Sequence, residues 1–203
     1  MKTILVDNTA VTPSKIVCVG RNYIEHVKEL NNEIPQVPVF FLKPNSAIGE
    51  KLSSFHQEPL HYEGELCFVF GENRFCAVGF GLDITKRALQ DTLKSKGLPW
   101  ERAKAFDGSA VFSPFVSIDR ISDNLRLELH INGQMIQSGH IQAMIFSPDK
   151  ILASLSEFMT LYPGDVLMTG TPKGVGIIQT GDLFYAKVMD KDLILTHAEW
   201  QAV

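Results

Sequence analysis

Apolar residues in this chain fall mostly into short runs closed by Gly, Pro, Asn or Asp. KIVCV (15–19), VPVFFL (37–42), ELCFVF (65–70), CAVGFGLDI (76–84), VLMTG (166–170), LFYAKV (183–188) and LILTH (193–197) all have the composition of strands. The strictest alternation is in LRLELHINGQMIQSG: Leu125, Leu127, Leu129 and Ile131 share one parity, and Arg126, Glu128 and His130 share the other. Asn132-Gly133 then offers a type I′ turn, so the segment predicts a β-hairpin. Three stretches follow a helical period instead. One starts after Asn22 as a candidate N-cap, with Ile24, Val27, Leu30 and Ile34 on one stripe. A second runs from about Lys86 to Lys96 and ends at Gly97 before Pro99. The third opens at Ser147-Pro148, continues through KILASLSEFMTL and stops at Pro163-Gly164. The pattern predicts a mixed β-rich α+β fold with a few peripheral helices. It has no repeat and no long linker, and about 36 N-terminal residues could form a cover over it.

Composition narrows the function classes. At 203 residues, 45% hydrophobic and 21% charged, the chain can bury a substantial core as one domain. A net charge of −4 and the lack of a basic block argue against a nucleic-acid partner. No run approaches the roughly 18 apolar residues of a membrane helix. The N-terminal apolar run is too short for a signal peptide. Cys18, Cys67 and Cys76 are odd in number, lack CxxC spacing and sit in apolar segments. They read as reduced core thiols of a cytoplasmic protein.

The candidate chemistry begins at HYEGELCFVF (61–70). If this segment is one strand, Glu63 and Glu65 share a face about 7 Å apart, next to an apolar run. Two such carboxylates raise each other's pKa unless a cation neutralises them. Asp83, after a Gly-rich bend in GFGLDIT, could complete a set of three hard oxygen ligands suited to Mg²⁺ or Mn²⁺. On spacing alone, a solvated acidic face with Asp83 capping a turn fits as well. His26 and Glu29 stand three apart on the first helix, so the acid could orient the imidazole as a general base, or the pair could simply decorate a helix surface. Lys104, among Ala103, Ala105 and Phe106, could stabilise developing negative charge or merely cover apolar atoms with its stem. Gly20-Arg21-Asn22 is a strand-to-helix turn that could bind an anion. TGTPKGVG (169–176) is no P-loop, but could offer hydroxyl and N–H groups to a carboxylate.

Taken in order, GRNYIEHVKEL, FFLKPNSA, HYEGEL, GLDITKRALQ, KGLPWERAKAFDGSA, INGQMIQSG and LSEFMTLYPGDVLMTGTPKGVG resemble the fumarylacetoacetate hydrolase superfamily, in particular its short acylpyruvate hydrolase-like members. The resemblance spans nearly the whole chain. It implies a β-roll fold, usually dimeric, and a divalent cation, Mg²⁺ or Mn²⁺, on Glu63, Glu65 and Asp83. It implies a lid dyad of His26 and Glu29, a site lysine at Lys104, and substrate contacts at Gln90 and Thr171, beside the possible anion site at Arg21. The implied substrate is a small 2-oxo acid. The expected reaction is hydrolysis of the C–C bond of an acylpyruvate through a metal-stabilised enolate. Decarboxylation of oxaloacetate, or keto–enol tautomerisation or isomerisation of oxaloacetate-like or ring-cleavage diacids, is the alternative, since the same enolate serves them all. A catalytically silent cation- or ligand-binding protein is the reading from another class. One departure stands out: Gly64 lies between the glutamates where the family often has a larger residue.

Overall fold

The computed structural model describes residues 1–30 and 33–203. Its centre is a seven-stranded sheet in the order Val116–Ser117, Arg74–Asp83, Gly64–Gly71, Val166–Met168, Lys15–Gly20 and Val39–Pro44, with Ala110–Phe112 also paired to Arg74–Asp83. Only the pairing of Val166–Met168 with Lys15–Gly20 is parallel among these strands. A four-stranded sheet, ordered Gln134–His140, Leu125–Ile131, Leu183–Asp190 and Leu193–Gln201, packs on it. A three-stranded sheet of Gly176–Ile177, Leu60–Tyr62 and Thr85–Lys86 lies at its end.

The apolar runs of the central strands reflect burial on both faces. Val17, Val19, Leu66 and Phe68 meet Leu125, Leu127, Leu129, Phe184 and Val188 in the larger core. Residues of the opposite parity, Ile16, Cys18, Cys67 and Val69, join Ile4, Phe115 and Met168 in a second cluster. The hairpin forms as predicted, with Asn132 and Gly133 at φ of 51° and 81°. All three cysteines are free, Cys18 and Cys67 being buried. Among the described residues, no helix is long and apolar enough to cross a membrane.

Among the described residues there are four α-helices: α1 (Ile24–Glu29), α2 (Arg87–Ser95), α3 (Glu101–Lys104) and α4 (Pro148–Ser156). α2 matches its expected span. α1 is shorter than the sequence pattern predicts, and Ile34 lies outside it and exposed; Asn31 and Asn32 fall outside the described residues. Asn22 is not its cap, since Tyr23 takes that position without a side-chain hydrogen bond. Asn22 is wholly buried instead, donating to the carbonyls of Phe146 and Thr169 and accepting from the Phe146 N–H. A paired buried amide satisfies three polar groups here, which outweighs a cap at a solvated helix end. α4 stops at Ser156, short of the expected Pro163-Gly164. α3 escaped the periodic pattern because four residues are too few to show one. Within the stretch expected as an N-terminal cover, Lys15–Gly20 is an interior strand of the central sheet, and α1 lies beside the site.

Asp165 holds the start of Lys15–Gly20 against the turn before Val166–Met168. Its wholly buried carboxylate accepts from Ser14 N and Oγ (2.9 and 2.6 Å), Lys15 N (3.1 Å), Lys15 Nζ (2.5 Å) and Tyr162 N (2.9 Å). Burial pushes this acid up, but the bonds from Lys15, Ser14 and Tyr162 outweigh it and hold it below the ordinary value of 3.8. Its stabilising effect is therefore complete above that value and is lost as pH falls through the lower one. Asp165→Ala should cost about 2–4 kcal/mol in urea unfolding at neutral pH, and the gap from wild type should close in acid. A gap that stays constant to low pH would contradict this assignment.

Candidate active site

The strand expected over 61–70 is broken. Leu60–Tyr62 belongs to the small sheet, Gly64–Gly71 to the central one, and Glu63 sits at the crossing between them. The two carboxylates converge all the same, because the Asp83 N–H donates to the Glu63 carbonyl at 2.8 Å and ties the crossing to the end of Arg74–Asp83. Glu63, Glu65 and Asp83 are each buried, with ligand-capable oxygens all within 4.8 Å of one another. The expected Gly-rich bend before Asp83 is absent: Gly79 and Gly81 lie within a regular strand. A Cβ on Gly81 would stand 2.6 Å from Cys67 Sγ, so the glycine makes room for a neighbouring side chain.

Buried cations surround the acids. Lys104, the last residue of α3, donates to Glu63 Oε2 (2.9 Å), Asp83 Oδ2 (2.8 Å) and Thr85 Oγ1 (2.6 Å). Arg87, at the start of α2, pairs with Glu63 Oε1 and donates to Gln90 Oε1 at 2.7 Å. Lys43, fully buried, donates to the carbonyls of Lys104 and Ser109 and stands 2.9 Å from Asp83 Oδ1. That last contact lacks hydrogen-bond geometry, so Asp83 Oδ1 is buried without a hydrogen-bond partner. Burial raises the Glu63 carboxyl, but Lys104, Arg87 and His26 outweigh it and hold it well below the ordinary range. Burial, then Asp83 and Glu63, push Glu65 well above that range, against the Gly170 N–H and Lys104. Burial alone would lower the Lys104 ammonium; Asp83 and Glu63 reverse this and raise it.

The donor set fits a hard divalent cation. Three buried carboxylates converge, one offers an oxygen with no hydrogen bond, and one is held against its own charge by the other two. Lys43 offsets part of the charge on that oxygen as an ion pair without a well-aligned hydrogen bond to it.

α1 closes one side. His26 is buried and lines the same cavity as the acids, with Nδ1 3.1 Å from Glu29 Oε2. Glu29 Oε1 in turn accepts from the Gly174 N–H at 3.0 Å. Val27 is buried, as the stripe predicts, while Ile24 is exposed. Arg21, Gln90 and Thr171 also line this cavity, so it brings together every expected site residue except Glu29, which reaches it through His26. The TGTPKGVG loop plays another part than expected. Its Gly170 N–H donates to Glu65 Oε2 (2.6 Å) and its Gly174 N–H to Glu29, so these donors serve the protein's own carboxylates. The Thr171 hydroxyl accepts from Gln137 Nε2 at 2.9 Å and points at the Pro172 carbonyl at 3.3 Å.

Sequence reasoning missed Lys43, Arg87, Lys94 and Gln137. Lys43 and Arg87 lie within the quoted segments FFLKPNSA and GLDITKRALQ, and a lysine between apolar strand residues was a usable signal. Gln137 had none, since its contacts are far apart in sequence. Its Oε1 accepts from the Gly64 N–H (2.9 Å), and its Nε2 donates to Thr171 Oγ1 and the Pro172 carbonyl (2.9 Å each). It thereby joins the Glu63–Glu65 turn to the loop beside it.

With this geometry in view, comparison with known proteins places the chain. Residues 15–198 match the family described as fumarylacetoacetate (FAA) hydrolase C-terminal, and the chain belongs to that family. The mitochondrial oxaloacetate tautomerase of Bos taurus is 40% identical, over 85% of this chain and 86% of its own. An oxaloacetate tautomerase of Escherichia coli K12 is 38% identical, over 83% and 85%. The crystal structure of fumarylpyruvate hydrolase from Pseudomonas aeruginosa in complex with Mn²⁺ and pyruvate superposes with a TM-score of 0.89 at 28% identity, covering 100% of this chain and 95% of that one. The β-rich fold expected from the resemblance is the fold observed, and these relatives are enzymes.

Two expectations follow. Glu65→Gln should melt higher than wild type in divalent-free buffer, because it removes the charge that burial and its neighbours oppose. A carboxyl with a raised folded value stabilises fully only below its ordinary value, so this advantage should grow from acid toward neutral pH. Saturating Mg²⁺ should reverse the order; a variant that keeps its advantage in Mg²⁺ would argue against a cation at these acids, and one that melts lower without Mg²⁺ would argue against the opposed charge at Glu65. Gly64→Ala would place a Cβ 2.8 Å from Phe80 Cζ and 2.9 Å from Gln137 Oε1. It should cost about 1–3 kcal/mol in urea unfolding and weaken Mg²⁺ binding by calorimetry, whereas a neutral substitution would show that the turn is not clamped.

Proposed function

We propose that this protein is an oxaloacetate tautomerase that interconverts the keto and enol forms of the diacid. This is the alternative of the sequence reading, and it replaces acylpyruvate hydrolysis as the favoured reaction. The observation that carries it is the charge of the site. Arg21, Lys43, Arg87, Lys94 and Lys104 are five cations gathered around three carboxylates. Once a divalent cation is bound, the surplus suits a dianion such as oxaloacetate better than an acylpyruvate whose acyl end is uncharged, such as acetylpyruvate. The 38–40% identity to two oxaloacetate tautomerases, over more than four-fifths of each chain, supports the same reading.

Tautomerisation moves one proton from C3 of the substrate to the C2 oxygen, or back, with no net gain of water. Glu63, Glu65 and Asp83 would hold a divalent cation, Mg²⁺ or Mn²⁺, which would supply Lewis-acid charge for the developing enolate. His26, with Nδ1 fixed by Glu29, keeps Nε2 as the ring nitrogen available to take the C3 proton and deliver it to the C2 oxygen, or to carry it back in the reverse direction. Lys104 stays an ammonium and places positive charge where the enolate oxygen develops negative charge. Gln90 has its carbonyl committed to Arg87, so its NH₂ remains to donate to substrate. The three free thiols fit a reducing compartment such as the cytoplasm.

Acylpyruvate hydrolysis remains the second reading, favoured by the intact His26–Glu29 pair, which could equally activate water. The decisive assay follows the enol absorbance of oxaloacetate in Mg²⁺ buffer alongside pyruvate release from acetylpyruvate. Tautomerisation should dominate, and His26→Ala should slow it by roughly 10²-fold. If acetylpyruvate were cleaved with the higher kcat/KM, the hydrolase reading would take precedence.

A further inference from the structure

The stripe of α2 that faces the cavity carries Arg87, Gln90 and Lys94 at i, i+3 and i+7. The first two are committed, Arg87 to Glu63 and Gln90 to Arg87. Lys94 is not. Among the described residues its ammonium makes no hydrogen bond or ion pair; it rests over the Trp100 ring, 5.0 Å from the centroid. Trp100 is 6.0 Å from Phe41, whose ring also lies 5.3 Å from Lys104 Nζ, so one aromatic wall is shared by the metal-side lysine and by Lys94. Arg21 is uncommitted too among the described residues: its Nε is buried without a hydrogen-bond partner there, and its backbone is held at φ 60°, a region an arginine seldom occupies. Burial pushes the Lys94 ammonium down to about 8, and Lys104, Arg87 and Arg21 add to the effect against Glu63. Lys94 and Arg87 also line an outer cavity of about 420 Å³ with Glu29, His61 and Asp91, so Lys94 stands where the inner site meets the way in.

Two uncompensated cations beside an aromatic wall make an anion subsite separate from the carboxylate cluster. We propose that Lys94, with Arg21 beside it, binds the second carboxylate of a dicarboxylate 2-oxo acid and thereby selects diacids over substrates with an uncharged acyl end. The inference rests on the tautomerase reading only for which diacid is bound. Its physical basis is asymmetric. A distal carboxylate would give both cations the partner they lack, against the aromatic wall at the mouth of the inner site. An acyl group there would cover an ammonium and leave it unpaired, which a site of this kind rejects strongly.

The test compares two probes with the Mg²⁺-loaded protein by calorimetry. Oxalate occupies the metal end and has no distal group; 3,3-difluoro-oxaloacetate carries both carboxylates and cannot enolise. Lys94→Met should weaken difluoro-oxaloacetate by roughly 10- to 100-fold, the scale of one charge-assisted hydrogen bond, and leave oxalate unaltered. Lys94→Arg should recover most of the loss. In turnover, the loss should fall on KM for oxaloacetate rather than on kcat, and the preference over acetylpyruvate should shrink. Equal weakening of both probes, or no weakening of either, overturns the subsite. If wild type fails to tautomerise oxaloacetate while the probes still separate, the subsite stands and the assigned reaction falls. If wild type tautomerises oxaloacetate and the probes do not separate, the subsite falls alone.

Discussion

Three carboxylates buried within reach of one another constrain everything around them. Such a group cannot remain ionised in a dry interior without compensation. The chain supplies it from three directions: Lys43 from a central strand, Lys104 from the end of α3, and Arg87 from the start of α2. The supply is unequal. Glu63 has two cationic partners, whereas Glu65 has only a backbone N–H from Gly170. That imbalance leaves the cluster charged in part and ready for a cation, where full pairing would close it as a structural salt-bridge network.

The same constraint explains the layout of the loops. Glycine N–H groups at 170 and 174 are spent on Glu65 and Glu29, so the loop that looks from its sequence like an anion cradle is a support for the protein's own acids. The dyad on α1 is likewise tied to the body through Glu29, and the base of α1 is anchored by the buried Asn22 amide. Groups that appear free in sequence are mostly committed in the fold, and the few that stay uncommitted carry information about ligands.

Much of this was legible in the sequence, for identifiable reasons. Strands buried on both faces or alternating strictly announce themselves, as 65–70 and 125–131 did. The acids, His26, Glu29 and Lys104 were found because their residue types are rare in apolar settings and because several short motifs occur in a fixed order. What escaped depends on contacts distant in sequence. Glu63 was read as lying within a strand when it marks a change of sheet, since apolar flanks look alike on either side of such a crossing. The α1 stripe overran because Ile34 keeps the helical period beyond the helix end. The choice among enolate reactions was not legible, because the dyad and the acids serve several of them, while the surplus of positive charge emerges only when Arg21, Lys43, Arg87 and Lys94 are brought together in space.

The close contact around Gly64 has a bearing on ancestry. The space a side chain would need at this position is filled by the Phe80 ring and the Gln137 amide. A lineage passing from a bulkier residue between the two glutamates to this glycine, or back again, cannot change the positions in any order. Phe80 or Gln137 must yield first, or the intermediate carries a strained turn beneath its metal ligands. A side chain at 64 is therefore compatible only with altered side chains at 80 or 137, positions distant in the chain but adjacent in space.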